Sequence, residues 1–224
     1  MSVAWESAAS DPATATSDTS LVVTKPTGLA VGDLMLAFGG CADARTISHP
    51  GSWNAVGNDS NGTLRVYVWT KVADSGDVAA SDFTFTASGT FNNAIVSIHR
   101  VSGASTNTPT VGFSSGTNSQ TQTAPTITTP SNNCLVFWGA YHTTNTTSTA
   151  SKGTERIDNG HSTGVCWMSQ YSNLEATAGS ITGAVITTGS FGAKRVYSVA
   201  IETASAAGGG HLIDGHLIGG RLIG

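Results

Sequence analysis

The amino-acid sequence predicts an all-β protein: a two-sheet antiparallel β-sandwich of the jelly-roll type with an extended C-terminal arm. Apolar and polar residues alternate with a period of two along many short segments, whereas the spacing of an amphipathic helix is almost absent. Clusters of Gly, Asn, Asp and Pro separate these segments. Charged residues make up only 11% of the 224 residues and hydrophobic residues 39%, a composition that supports a packed core and argues against a disordered chain.

Strands are expected wherever the alternation and the turn clusters coincide. The clearest strand covers residues 64–72, with one face made of Leu64, Val66, Val68 and Val72 and the other of Arg65, Tyr67, Trp69 and Lys71. We expect the first face in the core and the second against water or a partner. Further strands are predicted, in chain order, over residues 21–24, 34–38, 83–86, 94–101, 134–142, 165–171, 184–187 and 196–202.

The longest interruption of this pattern covers residues 102–133, which are rich in Thr, Ser, Asn and Gln. This segment is either a wandering surface loop or a region with edge strands, such as one over residues 126–128. Because structureless connections of this length are uncommon inside compact domains, we expect the segment to make contacts.

The composition changes near residue 204. Residues 1–203 are predicted as the β-sandwich domain, residues 204–210 as a Gly/Ala/Ser linker, and residues 211–224 as an apolar repeat arm. The arm reads His-Leu-Ile-Asp-Gly, His-Leu-Ile-Gly-Gly, Arg-Leu-Ile-Gly, so the Leu-Ile pair is constant while the polar position changes. Neighbouring side chains of an extended chain point to opposite faces, so each pair needs cover on both sides. A lone arm cannot supply that cover.

We therefore predict that the arm binds other subunits or a lattice. The side chains assigned to this contact are Leu212, Ile213, Leu217, Ile218, Leu222 and Ile223. At about 1.5 to 3 kcal/mol each, their burial would contribute on the order of 10 kcal/mol. Ordering the arm costs a similar amount, at about 1 to 2 kcal/mol per residue. The arm should become ordered only in an assembly, where strand pairing and avidity strengthen its binding.

No group of residues typical of an active site stands out. Gly112-Phe-Ser114-Ser-Gly116 matches Gly-x-Ser-x-Gly, but the polar sequence after it predicts no helix, so a Ser-Gly turn is favoured over a nucleophile elbow. The six histidines lack metal-ligand spacing, and Asp74 and Asp77 fit turn chemistry better than a calcium loop. We expect no enzyme activity, no cofactor and no metal.

Charge and composition limit which classes of partner and which cellular location we expect for this protein. A net charge of −4 with 10 scattered Lys and Arg residues argues against nucleic acid as a partner. The first residues lack a basic, apolar leader and no segment is apolar enough for a membrane span, so we expect a soluble protein made in the cytoplasm. Cys41, Cys134 and Cys166 are expected as core residues rather than as disulfide partners.

Three aromatic residues are candidates for a carbohydrate-stacking platform. Tyr67 and Trp69 share the face of their strand opposite Leu64 and Val66, and Trp53 lies beside a turn. The alternative is that a second layer, a loop or a neighbouring molecule covers this face. In that case the rings are packing residues.

Several motifs occur in a characteristic order: Thr24-Lys-Pro-Thr-Gly-Leu-Ala-Val-Gly-Asp-Leu-Met-Leu-Ala37, Val68-Trp-Thr-Lys-Val-Ala-Asp74, Phe83-Thr-Phe-Thr86, the segment 95–103 and Arg195-Val-Tyr-Ser-Val-Ala-Ile201. Their order resembles a β-sandwich module of structural proteins from tailed bacteriophages and prophage regions. The resemblance covers roughly residues 20–203. It implies a virion component, either a capsid decoration protein or part of a head or tail fibre. The C-terminal arm is not part of the shared pattern.

The resemblance and the arm together lead us to expect a capsid decoration (cement) protein. It would be a homotrimer that stabilises the head shell and binds the major capsid protein or another virion protein, with neither nucleic acid nor membrane as a partner. It would reside in the virion after synthesis in the host cytoplasm. The alternative is a head or tail fibre or spike component that binds host-surface carbohydrate through Trp53, Tyr67 or Trp69. A hydrolase acting through Ser114 is a third hypothesis.

Overall fold

The computed structural model describes residues 2–12, 18–42, 45–62, 64–91, 94–116, 119–144, 146–161 and 166–205. The first half of the described chain contains β1 (Ala4–Pro12), β2 (Asp18–Thr24), β3 (Leu34–Ala42), β4 (Ile47–Ser48), β5 (Asn54–Ser60), β6 (Leu64–Val72), α1 (Ser75–Ala79), β7 (Asp82–Phe91) and β8 (Ala94–Ser102). The second half contains β9 (Thr110–Gly116), β10 (Thr121–Thr123), β11 (Ile127–Thr129), β12 (Cys134–His142), β13 (Ser148–Ala150), β14 (Thr154–His161), β15 (Cys166–Glu175), β16 (Gly179–Ile181), β17 (Val185–Thr188) and β18 (Lys194–Ile201). The strand pairings of the described residues are antiparallel, which confirms the all-β prediction.

Two five-stranded sheets form the body of the molecule. The first main sheet has the strand order β1-β8-β3-β6-β5, and the second has the order β14-β15-β12-β18-β9. Their facing sides share one buried cluster, here called the central core. It includes Leu36, Phe38 and Val68 from the first sheet and Phe137, Met168 and Tyr197 from the second. This arrangement is that of a β-sandwich.

Each main sheet is covered on its outer side by further strands. The first cover sheet, β2-β7-β4, packs Leu21 and Phe85 against the first main sheet. The second cover, made of β10-β17-β13 and the pair β11-β16, packs Ile127 and Ile186 against Trp138 of the second main sheet. The main sheets are therefore buried on both faces, which is why β12 reads as a continuous apolar run rather than as an alternating one.

The two halves of the chain share one topology. Read from its other edge, the second main sheet has the order β9-β18-β12-β15-β14, which matches β1-β8-β3-β6-β5 strand for strand and in chain order. The cover strands β10, β17 and β13 likewise correspond to β2, β7 and β4. Each main sheet thus comes from one half of the chain. The jelly-roll form of the sequence prediction is not confirmed, and the sandwich is instead a pair of structurally similar halves packed face to face.

Two glycines let aromatic rings fill the central core. A Cβ atom on Gly40 would lie 2.3 Å from Cδ2 of Tyr141 on the opposite sheet. A Cβ atom on Gly139 would lie 2.3 Å from Cζ of Tyr197 on the neighbouring strand. Because real side chains do not approach this closely, glycine at both positions reflects close packing inside the sandwich.

The edges of the two main sheets lie against each other. Asn159 Nδ2 donates to Ser10 Oγ over 2.8 Å, which joins β14 to β1. Arg195 Nη1 lies 2.8 Å from Asp59 Oδ2, which joins β18 to β5. The edge strands β1, β5 and β14 also carry register shifts typical of β-bulges. Contacts and bulges of this kind protect edge strands from pairing with other chains.

The segment 102–133 contains strands, as one of its two interpretations predicted. β9 forms an edge of the second main sheet, and β10 and β11 belong to its cover. The strand suggested over residues 126–128 corresponds to β11. Most of the predicted linker and the whole predicted arm, residues 206–224, lie outside the described residues.

Candidate functional site

The three aromatic candidates are buried between the first main sheet and its cover. Trp53, Tyr67 and Trp69 are 5%, 9% and 2% exposed. Tyr67 and Trp69 stack with ring centroids 5.1 Å apart, and Trp53 meets Phe83 and Phe85 edge-on at 5.8 and 5.7 Å. The prediction of a carbohydrate-stacking surface at these residues is wrong, because β2 and β7 occupy the space that a sugar ring would need. The alternative, packing under a second layer, is confirmed.

Ser114 lies within β9, opposite Val196 of β18. Gly112 and Gly116 belong to the same strand, so the segment is extended throughout. The Ser-Gly turn favoured by the sequence is therefore wrong. A nucleophile elbow needs a sharp turn between a strand and a helix, and the backbone around Ser114 does not have that shape.

Asp74 and Asp77 form a capping box at the start of α1. Asp77 N donates to Asp74 Oδ1 over 3.0 Å, and Asp74 N donates to Asp77 Oδ2 over 2.9 Å. Lys71 Nζ lies 2.6 Å from Asp77 Oδ1 and 3.3 Å from Asp74 Oδ2. The two carboxylates are thus used by backbone N–H groups and by a lysine, which accords with the turn interpretation rather than a calcium loop.

His99 lies at the centre of a polar network that joins the two main sheets. Trp5 Nε1 donates to His99 Nδ1 over 3.0 Å, and His99 Nε2 lies 2.5 Å from Gln170 Oε1. An indole N–H can only donate, so Nδ1 is the acceptor and Nε2 carries the proton that it donates to Gln170. Ser97 Oγ donates to the same oxygen over 2.9 Å, and Gln170 Nε2 donates to Tyr197 OH over 2.9 Å.

The surroundings of His99 favour its neutral form. The residue is fully buried, and burial lowers the pKa of His99 to about 4. Arg156, whose guanidinium lies 4.2 Å over the ring of Trp5, acts in the same direction. A second proton on Nδ1 would also face the Trp5 N–H. The network therefore joins the two sheets at neutral pH, and apart from the partly buried Trp5 its hydrogen-bonded side chains are buried.

A second polar cluster lies on the outer side of the second main sheet. His142 Nδ1 is 2.7 Å from Thr144 Oγ1, and His142 Nε2 is 3.1 Å from Ser148 Oγ. Asp158 Oδ2 accepts a hydrogen bond from the backbone N–H of Ser148 over 2.9 Å. No sequence motif predicts this serine–histidine contact, since neither residue belongs to a catalytic motif.

The spacing of His142 and Ser148 is that of a base and a nucleophile, but their surroundings are not. Ser148 is 3% exposed and His142 is fully buried. Burial, and then the charge of Lys194, lowers the pKa of His142 to about 4, which makes it a weak base at neutral pH. Asp158 contacts the backbone rather than the imidazole. The cluster is therefore suited to fastening β13 onto the sheet.

The other side chains that could bind a metal ion do not come together in the described residues. Cys41, Cys134 and Cys166 are buried and not joined in disulfides, which confirms the predicted core role. Within the described ranges, no three His, Cys, Asp or Glu side chains come close enough together to hold a metal ion. No helix in the described part of the chain is long and apolar enough to cross a bilayer.

The structure locates the start of the predicted linker. Thr203 Oγ1 donates to Asn133 O over 2.6 Å and accepts from Val3 N over 3.3 Å, and Ala204 N donates to Gly103 O over 2.8 Å. These bonds fix residues 203 and 204 at the end of the sandwich where β3 and β12 begin. Leu212, Ile213, Leu217, Ile218, Leu222 and Ile223 lie outside the described residues.

The central core is least covered at this same end. Val72 and Leu174 continue the inward-facing rows of β6 and β15, yet they are 41% and 44% exposed. In the rest of both rows the side chains are buried. The described part of the chain therefore ends, at Ser205, beside this open end of the central core.

Comparison of the chain with protein-family models, with curated proteins and with solved structures found no match.

Proposed function

We propose that this chain is a structural protein of a bacteriophage particle, a capsid decoration (cement) subunit that acts as a homotrimer on the head shell. The observation that carries the proposal is the C-terminal repeat of three Leu-Ile pairs, whose side chains need cover on both faces. Its partners are other copies of the chain and the major capsid protein or another virion protein. The protein is made in the host cytoplasm and becomes part of the virion.

Features of the described body support this role. The aromatic rings considered for sugar binding are buried, and the edges of the main sheets lie against each other. A rigid body with an apolar arm at one end is suited to a lattice, where many modest contacts act together. The carbohydrate-binding fibre is not proposed further, because its stacking residues are covered.

The arm is tested by comparing the full chain with a chain that ends at Ser205. The full chain should sediment as a trimer and the shortened chain as a monomer with an unchanged melting temperature. A trimer that persists in the shortened chain would contradict the role of the arm.

Matched substitutions that keep the length of the arm test whether its Leu-Ile pairs, rather than the mere presence of the arm, hold the trimer together. Replacing Leu212, Leu217 and Leu222 by Ser should abolish the trimer, since burial of the pairs drives the contact. Replacing His211, His216 and Arg221 by Ser should leave it intact. Antibodies against the chain should then label the head shell of intact phage particles, and labelling confined to tail fibres would refute the decoration role.

A further inference from the structure

The inward-facing rows of β6 and β15 differ in cover between their two ends. At one end of the sandwich the rows begin with Leu64 and Cys166, which are buried. At the other end Val72 and Leu174 are 41% and 44% exposed, although the strand period of two places them on the side that faces the central core. Exposure is ordinary on the solvent side of a sheet. In a core-facing row it shows that the covering layer ends there.

Val72 and Leu174 occupy corresponding positions in the two halves of the chain. Val72 lies opposite Leu34 at the start of β3, and Leu174 lies opposite Leu135 near the start of β12. Their strands, β6 and β15, correspond in the shared strand order. Leu34 and Leu135 are buried. Each half therefore leaves its core row uncovered at the same point, and both points lie at the same end of the sandwich.

A third exposed apolar side chain lies at this end. Val31, in the loop before β3, is 66% exposed, and backbone hydrogen bonds of 2.9 and 2.8 Å join its loop to Ala73, the residue after β6. Val31, Val72 and Leu174 are three of the six large apolar side chains exposed in the described part of the chain. The other three lie singly, one on each cover and one at the opposite end. We call the surface of Val31, Val72 and Leu174 the open end.

The described chain ends beside the open end. The hydrogen bonds of Thr203 and Ala204 fix its last residues there, and the sequence continues through residues 206–224. A fully extended linker of residues 206–210 spans about 17 Å. The repeat of Leu-Ile pairs therefore begins within reach of this end of its own body and of a body placed beside it.

The spacing of the Leu-Ile pairs calls for two covering surfaces. Successive pairs begin five residues apart, so in an extended arm the six apolar side chains divide equally between two faces. One face has Leu212, Ile218 and Leu222, and the other has Ile213, Leu217 and Ile223. An arm that folded onto its own body alone would leave one of these faces bare. The second surface has to come from another molecule.

We propose that the open end of each copy binds the Leu-Ile arm of a second copy of this chain. The contact joins two different surfaces, so each copy gives one arm and receives one, and three copies close a ring about a threefold axis. Arms and open ends meet at the same end of the trimer, where each arm has protein on both sides. The inference rests on the proposed function, because it names the surface that the arm meets in the proposed trimer.

The closed ring gives this contact its strength. The open end offers three exposed apolar side chains, so one arm on one open end is a weak contact. In a ring, a copy leaves only when the contact of its own arm and the contact at its open end are both broken, and the two contacts support each other. The trimer should therefore dissociate on dilution in one step, from trimer to monomer.

Substitutions at the open end of the full chain test the receiving surface. Val72→Ser and Leu174→Ser should each weaken trimer formation at least about tenfold in sedimentation equilibrium, because they remove apolar surface that the arm covers. The double variant should sediment as a monomer. Val22→Ser is the matched control, since Val22 is 47% exposed on the first cover sheet, and it should form the trimer as the parent does. A double variant that trimerises as the parent does would overturn the inference.

Engineered cysteines identify which arm occupies the open end, and they do not depend on weakening the trimer. Full chains carry Leu174→Cys together with Leu212→Cys, Leu217→Cys or Leu222→Cys, and the three native cysteines are buried. With an added copper oxidant, at least one of these variants should give disulfide-linked trimers on a gel without reductant. Chains with a single engineered cysteine should not. Disulfides that close only within one chain, or no disulfide in any of the three variants, would overturn the inference.

The outcomes separate this inference from the proposed function. Open-end variants that keep the trimer, together with arm variants that lose it, would refute only the receiving surface. Disulfide-linked trimers of a protein that antibodies locate on tail fibres would refute only the decoration role. Arm variants that keep the trimer would refute both the proposed role of the arm and the contact inferred from it.

Discussion

At the scale of the residue, the buried side chain of His99 links the two main sheets by hydrogen bonds. His99 accepts from Trp5 and donates to Gln170, so both ring nitrogens are used in the neutral form. An unpaired polar group in this position would cost the full free energy of removing it from water. The network therefore specifies how the two main sheets pack, and it depends on the protonation state of one ring.

We expect acid to destabilise the protein through its buried histidines. The pKa values of His99 and His142 are lowered from 6.5 to about 4, so the unfolded chain binds more protons below pH 6.5. The stabilising contribution is complete above pH 6.5 and is lost as the pH falls towards 4. At pH 4 the loss is about 3 kcal/mol for each ring. Urea unfolding at several pH values measures it.

A glutamine at position 99 isolates the contribution of this ring. His99→Gln can still accept from Trp5 and donate to Gln170, but it does not titrate. Its free energy of unfolding should fall less steeply between pH 6.5 and 4 than that of the parent. Equal slopes for the two proteins would refute the assignment of this pH dependence to His99.

At the scale of the element, the short helix α1 is stabilised by contacts at its N-terminus rather than by the helix propensity of its residues. The helix α1 has only five residues, Ser75–Ala79, too few to be stable alone. Its capping box satisfies N–H groups of the first turn, and Lys71 of β6 contacts both acidic residues. The hydrogen bonds to Asp74 lower the pKa of its carboxyl, so the cap is charged at neutral pH. The helix therefore depends on Asp74 and on the strand before it.

Removing the cap should destabilise this element. We expect Asp74→Ala to lower the free energy of unfolding by about 1 kcal/mol, because Asp77 N loses its acceptor. Asp74→Ser restores an acceptor oxygen and should recover most of the loss. The exposed Asp74–Lys71 ion pair contributes little, so high salt should leave the difference in stability between the parent and Asp74→Ala nearly unchanged. A serine variant as unstable as the alanine variant would contradict the cap.

At the scale of the whole molecule, the described residues form three buried clusters. The two outer cores each belong to one half of the chain, whereas the central core needs both halves. Neither half can bury the inner face of its main sheet without the other. The halves should therefore fold as one cooperative unit despite their shared topology.

Calorimetry of variants in the two outer cores checks this cooperativity. Phe85→Ala in the first outer core and Ile186→Ala in the second each create a cavity at a fully buried site, at a cost of about 2 to 5 kcal/mol. Both variants should lower the temperature of one common unfolding transition. Two transitions, each shifted by only one of the variants, would show instead that the halves unfold independently.

The sequence by itself determined that the fold is all-β, and its nine predicted strands correspond to half of the 18 strands in the described residues. Alternating apolar residues and turn residues could show this much because each signal lies within a few neighbouring positions of the chain. The predicted bounds of β6 and β12 match the structure. The alternation also placed Tyr67 and Trp69 on one face of β6 and Leu64 and Val66 on the other. A period of two shows only that a strand has two faces, and it does not show what covers each face. Only the tertiary structure decided that a cover sheet buries the second face, that the halves share a strand order, and that His99 meets Gln170. These facts depend on pairings between residues far apart in the chain, such as the 71 positions between His99 and Gln170, which no local pattern encodes.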